Sequence, residues 1–384
     1  MKKILSILLV FALVLTFAAC AGTGEGNDSN PSESKEQGSN SATTEPANDD
    51  GKIRIAEVVA STGSIDDRSF CQGTYEGIKK YADENGISYG YYQSVDDSVA
   101  EFVNTIKLAV NGGAEIVIAP GYSWNAAIYE AQSMFPDTAF VIIDGEPNNG
   151  TETVCGANTY SIYFAEQQAG YLAGYAAVVD GYRALGFIGG MAVPAVVRYG
   201  YGYIQGIEDA AKDLGLQPGD ITLRYHYLGN WDPSPENQTF CTSWYSSGTD
   251  CIFFCAGDVT NVGMAAAKQV GPEKAVIGVD VNQGYEDECV LTSAMKGVDT
   301  ATYSALQEFY AGTFPGGQIV TLDASQGGVG LPLVDETWRF NAFTKEDYDA
   351  LFEKLASGEI QVPMDTDYET ADQIPVTMFT VEIV

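Results

Sequence analysis

Asp66 and Asp67 stand side by side in Ser61–Gln72, a polar turn that follows the apolar run Ile53–Val59 and leads into a helical pattern. Strand, small residues, helix is a sequence that leaves unpaired backbone N–H groups at the helix start, an end suited to a ligand bearing acceptor oxygens. Two adjacent carboxylates there would repel a phosphate, and neither a Walker loop nor a dinucleotide glycine fingerprint is present. Paired acids can also serve glycosidic chemistry, with Asp66 or Asp67 as base. Adjacent turn residues need not flank one bond, however, and the only histidine, His226, lies far along the chain. A helix cap is the simplest structural role, with Asp67 or Ser69 holding the first turn.

The elements that would position this turn alternate regularly. Strand-like runs Ile53–Val59, Ser88–Tyr92, Glu115–Ala119 and Ala139–Ile143 are separated by helical patterns over 68–85, 95–111 and 124–134, and a short strand is expected near Val154. That βαβα order calls for a parallel sheet covered on both faces, with ligands beyond the carboxyl ends of the strands. Tyr122 and Asp144-Gly145 fall at such ends. A small-residue helix over 164–179 follows, and the alternation restarts with strands Ala184–Ile188, Ile221–Tyr227, Cys251–Cys255 and Ala275–Val279. Helices are expected between them over 196–214, 235–246 and 260–270. The duplication implies two similar α/β lobes. Facing strand ends then make an interlobe cleft, a common place for a small ligand. Leu331–Val334 reads as a further strand and Lys345–Ala356 as an exposed helix.

The N-terminus reads as an address. Lys2 and Lys3 precede the apolar run Ile4–Phe17, and Ala18-Ala19 lead to Cys20. The run is too short and its exit too rich in small residues for a spanning helix, so residues 1–19 are expected to be an export signal. Cys20 after Ala-Ala resembles a bacterial lipobox and implies a lipidated cysteine. Residues 20–51 hold no aliphatic residue larger than Ala and are expected to tether the domain to the extracytoplasmic face of the membrane. The formal charge of −33 is spread along the chain, which excludes nucleic acid as a partner. Cys71, Cys155, Cys241, Cys251, Cys255 and Cys289 have no metal-ligand spacing, so no metal or other cofactor is expected.

Several stretches then fall in a recognisable order: Ile65-Asp66-Asp67-Arg68-Ser69-Phe70, Arg198-Tyr199-Gly200, the run 257–267, Ile277-Gly278-Val279-Asp280 with Gln283, and Thr292-Ser293 with Lys296. This order resembles the BMP (basic membrane protein) lipoproteins, the purine nucleoside receptor A-like substrate-binding proteins of ABC transporters. The resemblance covers about residues 52–330. It implies a type I periplasmic-binding-protein fold: two doubly wound parallel-sheet lobes joined by a hinge, three interlobe crossings, and an interlobe cleft. Lobe one is expected to take 52–159 and about 290–318, and lobe two 160–289 and about 319–384.

The resemblance further implies a nucleoside ligand, purine being the usual class, and separate ABC permease and ATPase chains as partners. It implies that Phe70 and Trp231 sandwich the base, while Asp280 accepts ribose hydroxyls beside Lys296. Two flat faces on opposite lobes would favour any planar ligand. Gly257 permits close backbone approach, and Tyr122 is a candidate cleft wall. Thr62 and Cys71 stand where family members carry an Asp and an Asn that read the base edge. A thiol is a weak donor and poor acceptor, so base readout here is expected to differ. The alternatives are a ligand-sensing protein of the same fold and a surface enzyme acting on nucleosides.

Overall fold

The computed structural model describes residues 51–364 and 368–384. The export signal, Cys20 and nearly all of the tether lie outside the described residues. Two sheets organise the chain. The first contains β1 (Ile55–Val59), β2 (Tyr89–Gln93), β3 (Ile116–Pro120), β4 (Ala139–Ile143) and β5 (Thr159–Phe164), interleaved with α1 (Phe70–Asn85), α2 (Val99–Asn111) and α3 (Asn125–Met134). After α4 (Glu166–Val179), the second sheet contains β6 (Ala184–Gly189), β7 (Thr222–Tyr227), β8 (Cys251–Cys255), β9 (Ala275–Asp280) and β10 (Val290–Lys296), with α5 (Pro194–Asp213), α6 (Pro235–Ser246) and α7 (Val259–Val270) between its first four strands. The chain ends with α8 (Val298–Tyr310), β11 (Gln318–Leu322), β12 (Val329–Gly330), α9 (Lys345–Ala356) and β13 (Val381–Ile383).

Sheet order in lobe one is β11-β5-β4-β3-β1-β2, and in lobe two β12-β10-β9-β8-β6-β7-β13. Every pairing is parallel except β10 with β12. The runs IAEVV, IVIAP, AFVII and CIFFC are buried along their whole length, as strands covered by helices on both faces must be. α2 starts four residues later than the periodicity implies, because the Ser98 side chain caps it by accepting from Glu101 N.

Sheet membership corrects the expected lobe boundaries. β5 pairs with β4 from Phe140↔Thr159 onward, so a division at 159/160 would cut a lobe-one strand. β10 pairs along β9 and belongs to lobe two, whereas β11 pairs with β5 and belongs to lobe one. The crossings therefore lie at Ala165, at Gly297 and in the segment 323–328. In both cases the strand that each one pairs with, β9 for β10 and β5 for β11, sets its lobe. Near Val154 there is only an isolated bridge, Asn148↔Thr153, and of the strand expected at Leu331–Val334 only the two residues of β12 form, just before it.

The small residues of α4 meet α5 rather than the sheet. A Cβ on Gly170 would run into the Tyr199 carbonyl oxygen, and one on Gly202 into that of Gln167. The two backbones touch, and they carry Glu166 and Arg198 to the cleft end of lobe two. The final segment is fastened by Glu208, whose carboxylate accepts from Thr377 N (2.9 Å), Thr377 Oγ1 (2.6 Å) and Met378 N (3.0 Å). All six cysteines among the described residues are free.

Candidate functional site

The strand ends of the two lobes enclose a cavity of about 650 Å³. Thr62, Asp67, Phe70, Cys71, Tyr122, Trp231, Gly257, Asp280 and Lys296 all line it. Asp66 does not: it is exposed, with its N–H donating to Ser64 Oγ at 3.1 Å. Nor does Ser69, which is buried at the junction of the lobes.

The lobe-one turn is ordered by Asp67. Its Oδ1 accepts from Ser69 N (2.8 Å) and Gln72 N (3.0 Å), and its Oδ2 from Cys71 N (3.0 Å), so the carboxylate occupies three orphan donors of α1. Burial raises its pKa to about 6; the three backbone bonds pull it down and Asp280 pushes it further up. Ser69 is the N-cap residue by position, but its hydroxyl leaves the helix end and donates to Asp280 Oδ2 at 2.7 Å. Cys71 is held as a neutral thiol, chiefly by burial and then by the carboxylates of Asp67 and Glu57.

On lobe two, Trp231 lies flat on Gly190, where any Cβ would strike the indole. Its loop is pinned by Asn237 Nδ2, which donates to Asn230 Oδ1 (2.8 Å) and Asp232 O (2.7 Å). Asn237 N in turn donates to Ser234 Oγ, the cap of α6. Gly257 turns the chain at φ 54° at the mouth of α7.

Lys296, fully buried, is the charge centre. Its Nζ pairs with Asp144 Oδ2, stands 3.4 Å from Asp280 Oδ1 and 3.9 Å from Glu166 Oε1, and lies 4.4 Å from the centroid of the Phe70 ring. Glu166 Oε2 is 2.6 Å from Arg198 Nε. Burial by itself would lower the lysine pKa, but the three carboxylates outweigh it and keep the ammonium charged. Burial pushes the Asp144 carboxyl upward, Lys296 draws it down, and Glu166 and Asp280 add repulsion. A raised acid beside a charged lysine looks contradictory. The direct ion pair favours the carboxylate, while the upward push comes first from burial and then from the neighbouring acids. Asp144 Oδ1 lines up no partner of its own and is buried.

Three non-glycine residues have positive φ among the described residues: Arg68 (54°), Asp144 (57°) and Asp280 (65°). All three sit where the lobes meet, the kind of place at which backbone strain collects. Asp144, Asn125, Tyr163, Arg198, Tyr199 and Asp258 also line the cavity but were not singled out as site residues from sequence. Asp144 had a signal in its strand-end position, and Arg198-Tyr199 in the ordered motifs. Glu166 had none, since an acid on the first turn of an apolar helix reads as solvated until its partner on α5 is seen.

Residues 55–366 match the family model for Bmp, "ABC transporter substrate-binding protein PnrA-like". The chain belongs to the Bmp family. Among curated relatives, the ABC transporter nucleoside-binding protein BmpA of Lactococcus lactis subsp. cremoris is 30% identical over 338 residues, covering 82% of this chain and 91% of that protein. A CD4+ T-cell-stimulating antigen of Listeria innocua is 28% identical, covering 92% and 98%. An ABC transporter solute-binding protein of Aeropyrum pernix K1 superposes with TM-score 0.69 at 22% identity, covering 83% of this chain and 95% of that one. The architecture is the type I periplasmic-binding-protein fold, and this Bmp-family chain is an ABC transporter substrate-binding protein of the extracytoplasmic side. Among the described residues no helix is long and apolar enough to cross a membrane.

Proposed function

We propose that this protein captures a nucleoside in the interlobe cleft and delivers it to an ABC permease, driven by a separate ATPase, while held to the membrane through lipidated Cys20. The observation that carries the reading is the meeting, in one cavity, of aromatic rings from both lobes, Phe70 and Trp231, with the acid–lysine cluster of Asp144, Asp280 and Lys296. Rings suit a flat base, and carboxylate oxygens suit the vicinal hydroxyls of a ribose. The partnerless Asp144 Oδ1 is a ready acceptor for one of them. The BmpA relative, described as nucleoside-binding, agrees with this class.

Four aspartates line the cavity, Asp67, Asp144, Asp258 and Asp280, against two cations that are already paired, Arg198 and Lys296. That balance favours uncharged nucleosides over their phosphates. The base edge is served by the Thr62 hydroxyl, which can both donate and accept, and by the neutral thiol of Cys71, a weak partner, and the pair supplies little discrimination between bases. Asp66 faces solvent and Asp67 is engaged by the end of α1, so the two acids do not flank a common bond; this supports capture rather than cleavage.

Calorimetric titration with inosine, adenosine, uridine, the free bases, ribose and inosine 5′-monophosphate tests the reading. Saturable heat with the nucleosides and none with the monophosphate is expected, the nucleosides being recovered intact. Absence of heat with every nucleoside sinks the ligand class, and release of free base sinks the capture reading.

A further inference from the structure

Arg68, at the centre of the lobe-one turn, is held in a left-handed conformation by partners from the other lobe. Its carbonyl accepts from Gln283 Nε2 at 2.9 Å, and its Nη1 meets Glu286 Oε2 at 2.7 Å. The next residue, Ser69, donates to Asp280 Oδ2 at 2.7 Å. From lobe one itself the Arg68 backbone receives only one bond, its N–H donating to Gln72 Oε1 at 2.8 Å. Gln283 is 1% exposed and cannot swing, because its Oε1 accepts from Val279 N (2.9 Å) and its own N–H donates to Ser293 Oγ (3.0 Å). Gln283 is thus a rigid part of lobe two that reaches a strained residue of lobe one.

We infer that Ser69, Arg68, Gln283 and Glu286 form a clasp between the lobes that sets the lobe-one turn in its ligand-binding shape only when the lobes meet. The residues on either side of the clasp are Asp67 and Phe70, both in the cavity wall, whereas Arg68, Ser69, Gln283 and Glu286 do not line it. They are positioning residues. A non-glycine residue with positive φ relaxes when the contacts that over-determine it are removed. With the lobes apart, the three bonds that reach Arg68 and Ser69 from lobe two are gone and their backbone bonds to Gln72, Asp67 and Gly73 within lobe one remain, so the cap and the ring lose their common reference. The Arg68–Glu286 pair is the weakest part, its side chains being 52% and 28% exposed. The Gln283 amide and the Ser69 hydroxyl, both buried, carry most of the effect.

The inference rests on the cleft being the ligand site, and its test has one arm that needs no ligand. Hydrogen exchange of the amides in 62–72 is measured in the ligand-free protein, alongside the dissociation rate of inosine. Ser69→Ala and Gln283→Met are each expected to speed exchange in 62–72 about tenfold or more while leaving the later turns of α1 unchanged. Each is expected to weaken inosine binding about ten- to a hundredfold, through faster dissociation. Glu286→Gln is expected to change either quantity less than about threefold. Arg68→Gly, which accepts positive φ without strain, is expected to restore part of the affinity in the Gln283→Met background. Unchanged exchange in 62–72 for both Ser69→Ala and Gln283→Met overturns the clasp, and so does a rise spread evenly over the strands of lobe two. If inosine does not bind the unaltered protein, the nucleoside reading fails while the exchange arm still decides the clasp.

Discussion

Replacing Lys296 with Met would remove the cation around which three buried carboxylates gather. At an effective dielectric of about 20, unit charges 3.4 Å apart attract by about 5 kcal/mol and those 3.9 Å apart by about 4 kcal/mol. Burying the lysine offsets much of that gross attraction, and breaking a buried pair by removing one member leaves a net loss of about 3–5 kcal/mol. For a chain of 384 residues the loss corresponds to about 4–6 °C in melting temperature. The pH dependence fixes the cause. Without the ammonium, the Asp144 carboxyl, already pushed upward by burial, loses the partner that draws it down and binds its proton more tightly in the folded state than in the unfolded chain. Groups of that kind contribute stability below their unfolded pKa and lose it as pH rises. The melting deficit of Lys296→Met should therefore be large at pH 8 and shrink toward pH 5, measured by calorimetry or circular dichroism. A deficit of the same size at both pH values, or one below about 1 °C at pH 8, would refute the electrostatic account.

Trp231→Ala should weaken nucleoside binding by about 1–3 kcal/mol, the range of base–aromatic stacking, with little change in melting temperature; unaltered affinity by calorimetry would remove Trp231 from the site. Gly170→Ala should destabilise the fold by at least about 1–3 kcal/mol, because the new methyl meets the Tyr199 carbonyl and not a yielding side chain, a loss that chemical denaturation reads directly. Glu57, fully buried in β1 with neither carboxylate oxygen hydrogen-bonded, has its pKa raised well above the usual range by burial and then by Asp67. Its contribution is favourable below its unfolded pKa and is lost as pH rises, so Glu57→Gln should raise the melting temperature at pH 8 more than at pH 4.

Much of the lobe-one half of the site was legible because it is local. Asp67, Ser69 and Phe70 sit within one turn, and strand, turn and helix follow from the burial pattern and from the glycine that ends α1 at Gly86. The division of labour between them was not legible. Whether Asp67 or Ser69 caps α1 depends on Asp280, 211 residues away, which claims the serine hydroxyl. The lobe boundaries slipped for a related reason. β5, β10 and β11 are apolar enough for either sheet, and only the edge each finds decides its lobe. Glu166 shows the same limit at the charge cluster, since its meaning lies in Arg198 on a helix brought close by glycines.

The strand β13 carries a consequence for solubility. It lies beyond residue 366, where the family match ends, and adds parallel to β7 as the outermost strand of lobe two. Without it the polar backbone of Thr222–Tyr227 would be an open template for another chain. A protein cut after residue 366 would lose β13 and be expected to associate through the bared edge of β7, so the C-terminal strand shields that edge of the sheet.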